Sequence, residues 1–246
     1  METGLVTGSR QMMMLEAWQS SIADNLANAS TPGFQKTLFA ASGAPQGPQS
    51  TVSIGTDEQK QLILPEGRVS QSFSNGPIRN TGNPHDFAIK DGGFFALTTP
   101  TGERLFSKDG EFRVNTDGVL VNKMGYSVDV DGAELNIDLQ QGPVTVTRDG
   151  SVNQEGQSLG RISAFSFSQP NQLIRVSGSY FSDPGNAGQT QIEEPTILQG
   201  HLMGSSTEAI KEMVNMIQVS RAYEMSQKVI QENDERLNQA IQAFSV

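Results

Sequence analysis

Met216, Val219, Tyr223, Ser226, Ile230, Asn233, Leu237, Ala240 and Phe244 stand three and four residues apart in strict alternation near the C-terminus. Such spacing is the seam of a helix that packs lengthwise on another helix. Unbroken from residue 205, this helix is about 60 Å long at 1.5 Å per residue. Asn233 is the polar interruption; a buried Asn in a seam fixes register at some cost in stability. Ser205, with Glu208 three residues on, reads as a capping box at the helix start. A helix cannot bury its own stripe, so this segment needs a partner.

The other end of the chain offers one. Leu5, Met12, Leu15, Ile22 and Leu26 follow helical spacing, and Trp18 widens the stripe. The helix must stop near residue 30, because Pro32 drives Thr31 out of the α region and Gly33 follows. Asn25 and Asn28 lie just before that stop, although Asn is a poor helix former. Their amides are expected to find partners on another surface. Pairing the two terminal helices would leave outer faces, with Asn25, Asn28, Gln218 and Arg221, to meet other copies of the chain.

Between the helices the texture changes twice. Residues 37–75 are rich in Gly, Pro, Gln and Ser and read as an extended linker or arm, with "VSQSF" as a candidate strand. Residues 76–200 read as β-structure: "DFAI", "GFFALTT", "RLFSK", "EFRV", "GVLV", "GPVTVT", "GRISAFSFS" and "QLIRVSGSYF". Asp-Gly pairs at 91–92, 109–110, 117–118, 131–132 and 149–150 separate several of these runs. Asp-Gly suits type I′ hairpin turns, whose two central residues both need positive φ. The predicted fold is mixed α and β. Terminal helices pair as a coiled coil, and a mostly antiparallel β domain, a sandwich or irregular barrel, is inserted between them. The predicted segments are 1–36 (helix and turn), 37–75 (arm), 76–200 (β-rich outer domain) and 201–246 (C-terminal helix).

Composition excludes several functions. Acidic residues number 27 against 17 basic ones, a net charge of -10, so nothing is available to neutralise nucleic-acid phosphates. The absence of cysteine excludes disulfides, thiol catalysis and cysteine-based metal sites. The N-terminus has Glu2 at its front, no basic region and only a short apolar run, so no cleaved signal peptide is expected. A chain that leaves the cytoplasm without one needs a dedicated exporter. No segment has the apolar length to span a bilayer.

Candidate sites for chemistry are weak. "SVDVDGAELNID" (127–138) places Asp129, Asp131, Gly132 and Asp138 on a calcium-loop template, but Ser127 holds the first position and Asp138 replaces the final Glu. A β-hairpin explains it better. His85-Asp86 lacks a further ligand pair, and there is no nucleophile elbow or phosphate loop. Glu193 and Glu194, next to Pro195, read as a surface loop. No cofactor, metal or small-molecule substrate is expected.

Three motifs in order carry a resemblance. "DNLANASTPGFQK", "RNTGNPHDFAIKDGGFFALTTPTGERLFSKDGEFRVNTDGVLVNKMGY" and "EMVNMIQVSRAYEMSQKVIQENDERLNQAI" resemble the rod and hook family of bacterial flagellar axial proteins. The resemblance is to the proximal-rod branch above all, with the distal-rod branch as the alternative. It implies a non-enzymatic subunit that polymerises through its terminal helices into an axial tube transmitting torque from motor to hook. The implied partners are further copies, other rod proteins and the flagellar type III export apparatus. The implied location is the basal-body rod in the periplasmic space. Residues assigned to assembly on this reading are Leu15, Trp18, Ile22, Asn25, Leu26, Asn28, Pro32, Gly33, Phe34, Met216, Val219, Arg221, Tyr223, Ile230, Asn233, Leu237 and Ile241. Readings from other classes are a secreted cell-wall enzyme and a calcium-dependent β-domain binding module.

Overall fold

The computed structural model describes residues 2–42 and 66–244. Two long helices, α1 (Glu2–Ala27) and α2 (Ala209–Phe244), flank a β-rich region in sequence. The fold is mixed α and β with a mostly antiparallel β domain. The described residues divide into two compact units. One holds 2–26, 37–42, 66–70 and 209–244; the other holds 27–36 and 71–208. Residues 27–36, grouped with the N-terminal helix by sequence, thus pack with the β unit. Of the expected arm, Thr37–Ser42 and Glu66–Gln71 pair as a two-stranded sheet, while 43–65 lie outside the described residues.

The β unit is built on one large sheet. In spatial order it runs Ile174–Ser177, Tyr180–Ser182, Arg104–Ser107, Phe94–Thr98, Ser127–Val130, Leu120–Asn122, Phe112–Val114. Ala164–Phe167 also pairs with Phe94–Thr98, antiparallel, with Phe165 opposite Phe94. The continuous apolar run "FFAL" follows from period-two geometry with both faces covered. Phe95 and Leu97 enter one core with Leu105, Ala164 and Tyr180. Phe94 and Ala96 enter a second core on the opposite face with Phe106, Phe165 and Phe181. The two cores are therefore read from alternate residues of the same strands.

The turns differ in detail from expectation. Among the five Asp-Gly pairs, only Asp131-Gly132 has positive φ at both residues (51° and 83°), the type I′ hairpin. At 91–92, 117–118 and 149–150 only the glycine is left-handed, and Gly110 is not left-handed at all. Glu155-Gly156 (48° and 86°) makes a further two-positive turn that its sequence does not advertise. Asp side chains at these corners serve mostly as acceptors: Asp149, for example, takes the Ser151 hydroxyl at 2.6 Å. Helix α2 also starts later than the expected capping box places it. Ser205 accepts the Thr207 amide at 3.1 Å, ahead of a helix that starts only at Ala209.

Candidate assembly interface

In the helical unit α1 and α2 run antiparallel. Gly8 faces Ile230, whose Cγ1 would lie 3.2 Å from an added Cβ, and the Tyr223 hydroxyl donates to Glu16 at 3.1 Å. Leu15, Ile22 and Val219 form the buried centre, with Trp18, Met216, Ala222 and Tyr223 packed around it. Trp18 also stacks on Phe39, ring centroids 6.0 Å apart.

Asn25 answers the question its position raises. It is buried within the chain, 1 % exposed, so it does not lie on an outer face. Its amide nitrogen donates to the Thr37 carbonyl at 2.7 Å, and its amide oxygen accepts the Thr37 N–H at 2.8 Å. One side chain thereby satisfies both backbone groups of the first strand residue after the turn. Asn28 and Leu26 are half-buried, and Asn28 accepts the Thr31 hydroxyl at 3.3 Å. Asn233 is exposed, so its amide keeps its water and sets no register within the subunit. Ile230 is half-buried and Arg221 exposed; the side chains of Leu237 and Ile241 lie outside the described residues.

In the β unit, the "PGFQK" turn is an internal fixture. Pro32 is half-buried, while Gly33, Phe34 and Gln35 are buried. The Gly33 N–H donates to Met203 at 2.8 Å, the Ser206 N–H to Phe34 at 3.0 Å, and the Lys36 N–H to the Ser206 hydroxyl at 2.8 Å. The two chain passages leaving the β unit are thus tied to each other. Arg175 lies over the Phe34 ring at 4.7 Å and the Phe181 ring at 5.5 Å, and donates to the Gln35 carbonyl. No sequence signal marks Arg175, which stands in an ordinary strand-like run far from the turn.

Lys108 is a second hidden fixture, 2 % exposed. Its ammonium donates to the Phe73 carbonyl at 2.9 Å and Asn75 Oδ1 at 2.8 Å, 4.9 Å above the Phe94 ring. Burial pushes its pKa down to about 8. Between that value and the ordinary lysine range the unfolded chain binds more protons, so stability rises with pH. Urea midpoints of the parent chain should therefore gain on those of Lys108→Met from pH 8 to pH 10. A constant difference across that range would refute the assignment.

The carboxylates of the calcium template are used locally. Asp129 pairs with Arg104 at 2.6 Å, accepts the Gly132 N–H at 2.7 Å and the Ser163 hydroxyl at 3.2 Å. Asp131 accepts the Arg161 N–H at 2.8 Å, and Asp138 accepts the Gln140 N–H at 2.9 Å. Asp86 beside His85 accepts Thr81 and Asn83 side chains at 2.6 and 2.9 Å.

The remaining feature of α2 is its second apolar stripe. At about 100° per residue, Glu212, Met216, Val219, Tyr223 and Ile230 cluster on the side toward α1. Ile210, Val214, Ile217 and Met225, 48 to 78 % exposed, lie on the opposite side. A helix apolar on both sides is one meant to be covered on both.

Comparison with known proteins adds the family to this geometry. The family described as "Flagellar hook protein FlgE/F/G D1 domain" matches residues 88–154, and "Flagellar basal body rod FlgEFG protein C-terminal" matches 198–243. A "Flagellar basal-body rod protein FlgF" of Caulobacter vibrioides is 30 % identical over 98 % of this chain and 98 % of its own. The chain belongs to the flagellar basal-body rod protein family. A relative of the same FlgF type from Mesorhizobium japonicum is 31 % identical over 99 % of this chain and 98 % of its own. A "Flagellar basal-body rod protein FlgG" of Buchnera aphidicola subsp. Schizaphis graminum is 28 % identical over 90 % and 92 %. The near-complete coverage by FlgF-type relatives places this rod protein with that type. Among its described residues no helix is long and apolar enough to cross a membrane.

Proposed function

We propose that this rod subunit polymerises through its terminal helices, with α1 and α2 paired as a coiled coil, into the axial tube that carries torque from motor to hook. The observation that carries the reading is α2, with one stripe on α1 and a second, formed by Ile210, Val214, Ile217 and Met225, exposed to water. Burying such side chains contributes about 1.5–3 kcal/mol each, enough in sum to drive association. The FlgF-type relatives support a rod subunit; the proposed place is the proximal part of the rod, with partners among copies of this chain and other rod proteins. The proposed subunit is non-enzymatic, passes through the flagellar type III export apparatus and lies in the periplasmic space.

Amide hydrogen exchange tests it, comparing the purified subunit with isolated basal bodies. The amides of 2–27 and 209–244 should gain protection in the assembly, while those of the β unit should be protected in both. Equal protection of α2 in the two samples would mean that its outer stripe meets nothing, and the polymerisation reading would fall.

A further inference from the structure

Sulfur in this chain is confined to methionine: there are nine Met and no Cys. Their exposure is uneven. Met203 is 1 % exposed, while Met12, Met14 and Met216 are half-buried. Met13 (67 %), Met124 (55 %), Met213 (50 %) and Met225 (63 %) stand in water. Three of these four lie on the terminal helices. Met213 neighbours Ile210 and Ile217 at helical spacings of three and four, and Met225 neighbours Val229 at four, so both belong to the exposed apolar surface of α2. At about 100° per residue, Met13 falls on the side of α1 away from Leu15 and Ile22.

A thioether in water is open to peroxide, and here no thiol competes for the oxidant. A sulfur lone pair attacks one peroxide oxygen, the O–O bond breaks and a sulfur–oxygen bond forms. Sulfur gives up two electrons, and the peroxide is reduced to water. The product is a sulfoxide, so a flexible apolar side chain becomes polar. Burying that group against an apolar surface carries the penalty of an unpartnered polar atom.

Resting on the polymerisation reading, we infer that Met13, Met213 and Met225 are oxidation sites through which hydrogen peroxide switches off assembly of the free subunit. Assembly and oxidation exclude one another. A sulfoxide keeps the helix surface polar, and a methionine already covered in the rod is out of reach of the oxidant. Methionine sulfoxide is reducible enzymatically, so the block is reversible. The same chain carries two controls. Met124, in the turn between Leu120–Asn122 and Ser127–Val130, oxidises without lying on a helix, and Met203 is shielded inside the β unit.

The test treats the full chain with graded hydrogen peroxide, reads oxygen gain at each methionine by peptide mass and reads association by sedimentation. Met13, Met124, Met213 and Met225 should gain oxygen ahead of Met203. Association should weaken about 10- to 100-fold for each oxidised methionine of α2, and methionine sulfoxide reductases should restore it. Leucine is apolar and of similar volume, so the combined Met13→Leu, Met213→Leu and Met225→Leu variant should associate like the parent and resist peroxide. Met124→Leu should stay as sensitive as the parent. In isolated basal bodies, Met213 and Met225 should resist a dose that oxidises Met124. Undiminished association of the fully oxidised parent, or equal peroxide sensitivity in the triple variant, would overturn this inference and leave the polymerisation reading standing. An untreated parent chain that stays monomeric at every concentration would overturn both.

Discussion

Gly33→Ala should cost the protein about 3–5 kcal/mol, seen as a large fall in urea midpoint. Gly33 has φ +66°, a conformation L side chains rarely adopt. An added Cβ would fall on the Asp109 amide nitrogen and lie 2.7 Å from the Asp109 Cα. Both neighbours are backbone, so nothing can rotate aside. The displacement would also break the Gly33 N–H donation to Met203, 2.8 Å in the intact chain. The glycine is therefore required twice, by dihedral angle and by space. If Gly33→Ala unfolds within about 1 kcal/mol of the parent, the close approach of this turn to the 108–109 backbone is not as described. The functional consequence follows from position: the turn ties the outgoing and returning chain passages, so loosening it should also weaken incorporation into basal bodies.

Phe181→Ala should be nearly as damaging, about 3–5 kcal/mol. Phe181 is fully buried, with its ring 5.3 Å from Phe73 and 6.3 Å from Phe94. Its loss would open a cavity that rigid sheet strands cannot close. It would also remove one of the two rings beside the Arg175 guanidinium, which lies 5.5 Å from its centroid. Phe181→Leu keeps most of the volume and should cost about 1–2 kcal/mol. The comparison separates packing from the cation–π contact: equal losses in the two variants would show that the ring's contact with Arg175 dominates, not the cavity.

Local pattern made much of this legible. The three-four alternation from Met216 places Val219 and Tyr223 against α1 because helix geometry repeats every 3.6 residues whatever surrounds it. The run "FFAL" reads as a strand because alternate side chains leave opposite faces, and both faces are apolar. The motifs "STPGFQK" and "SRAYEMSQKVIQEN" resemble the flagellar axial family, and the similarity to rod proteins agrees. Asn25 shows the limit. Its helix is evident, but its partner is the Thr37 backbone, which reaches it only because the chain reverses at Pro32 and Gly33. Asn233 falls on a seam position by count yet stands in water, since periodicity gives a face and not what lies against it. Four of the five Asp-Gly pairs stand at turns and Asp109-Gly110 does not, because the φ angles depend on the strands such pairs join.

The sequence by itself determined the helices, most of the strands, the absence of cysteine chemistry and the family, because each of these is written in spacing or in contiguous motifs. Tertiary structure alone decided that "PGFQK" is an internal fixture, held by Arg175 from far along the chain, and that Lys108 is buried over Phe94. It also decided which stripe of α2 is covered and which is left open. Those outcomes depend on contacts between residues distant in sequence, and no local period records which distant surface a side chain will meet.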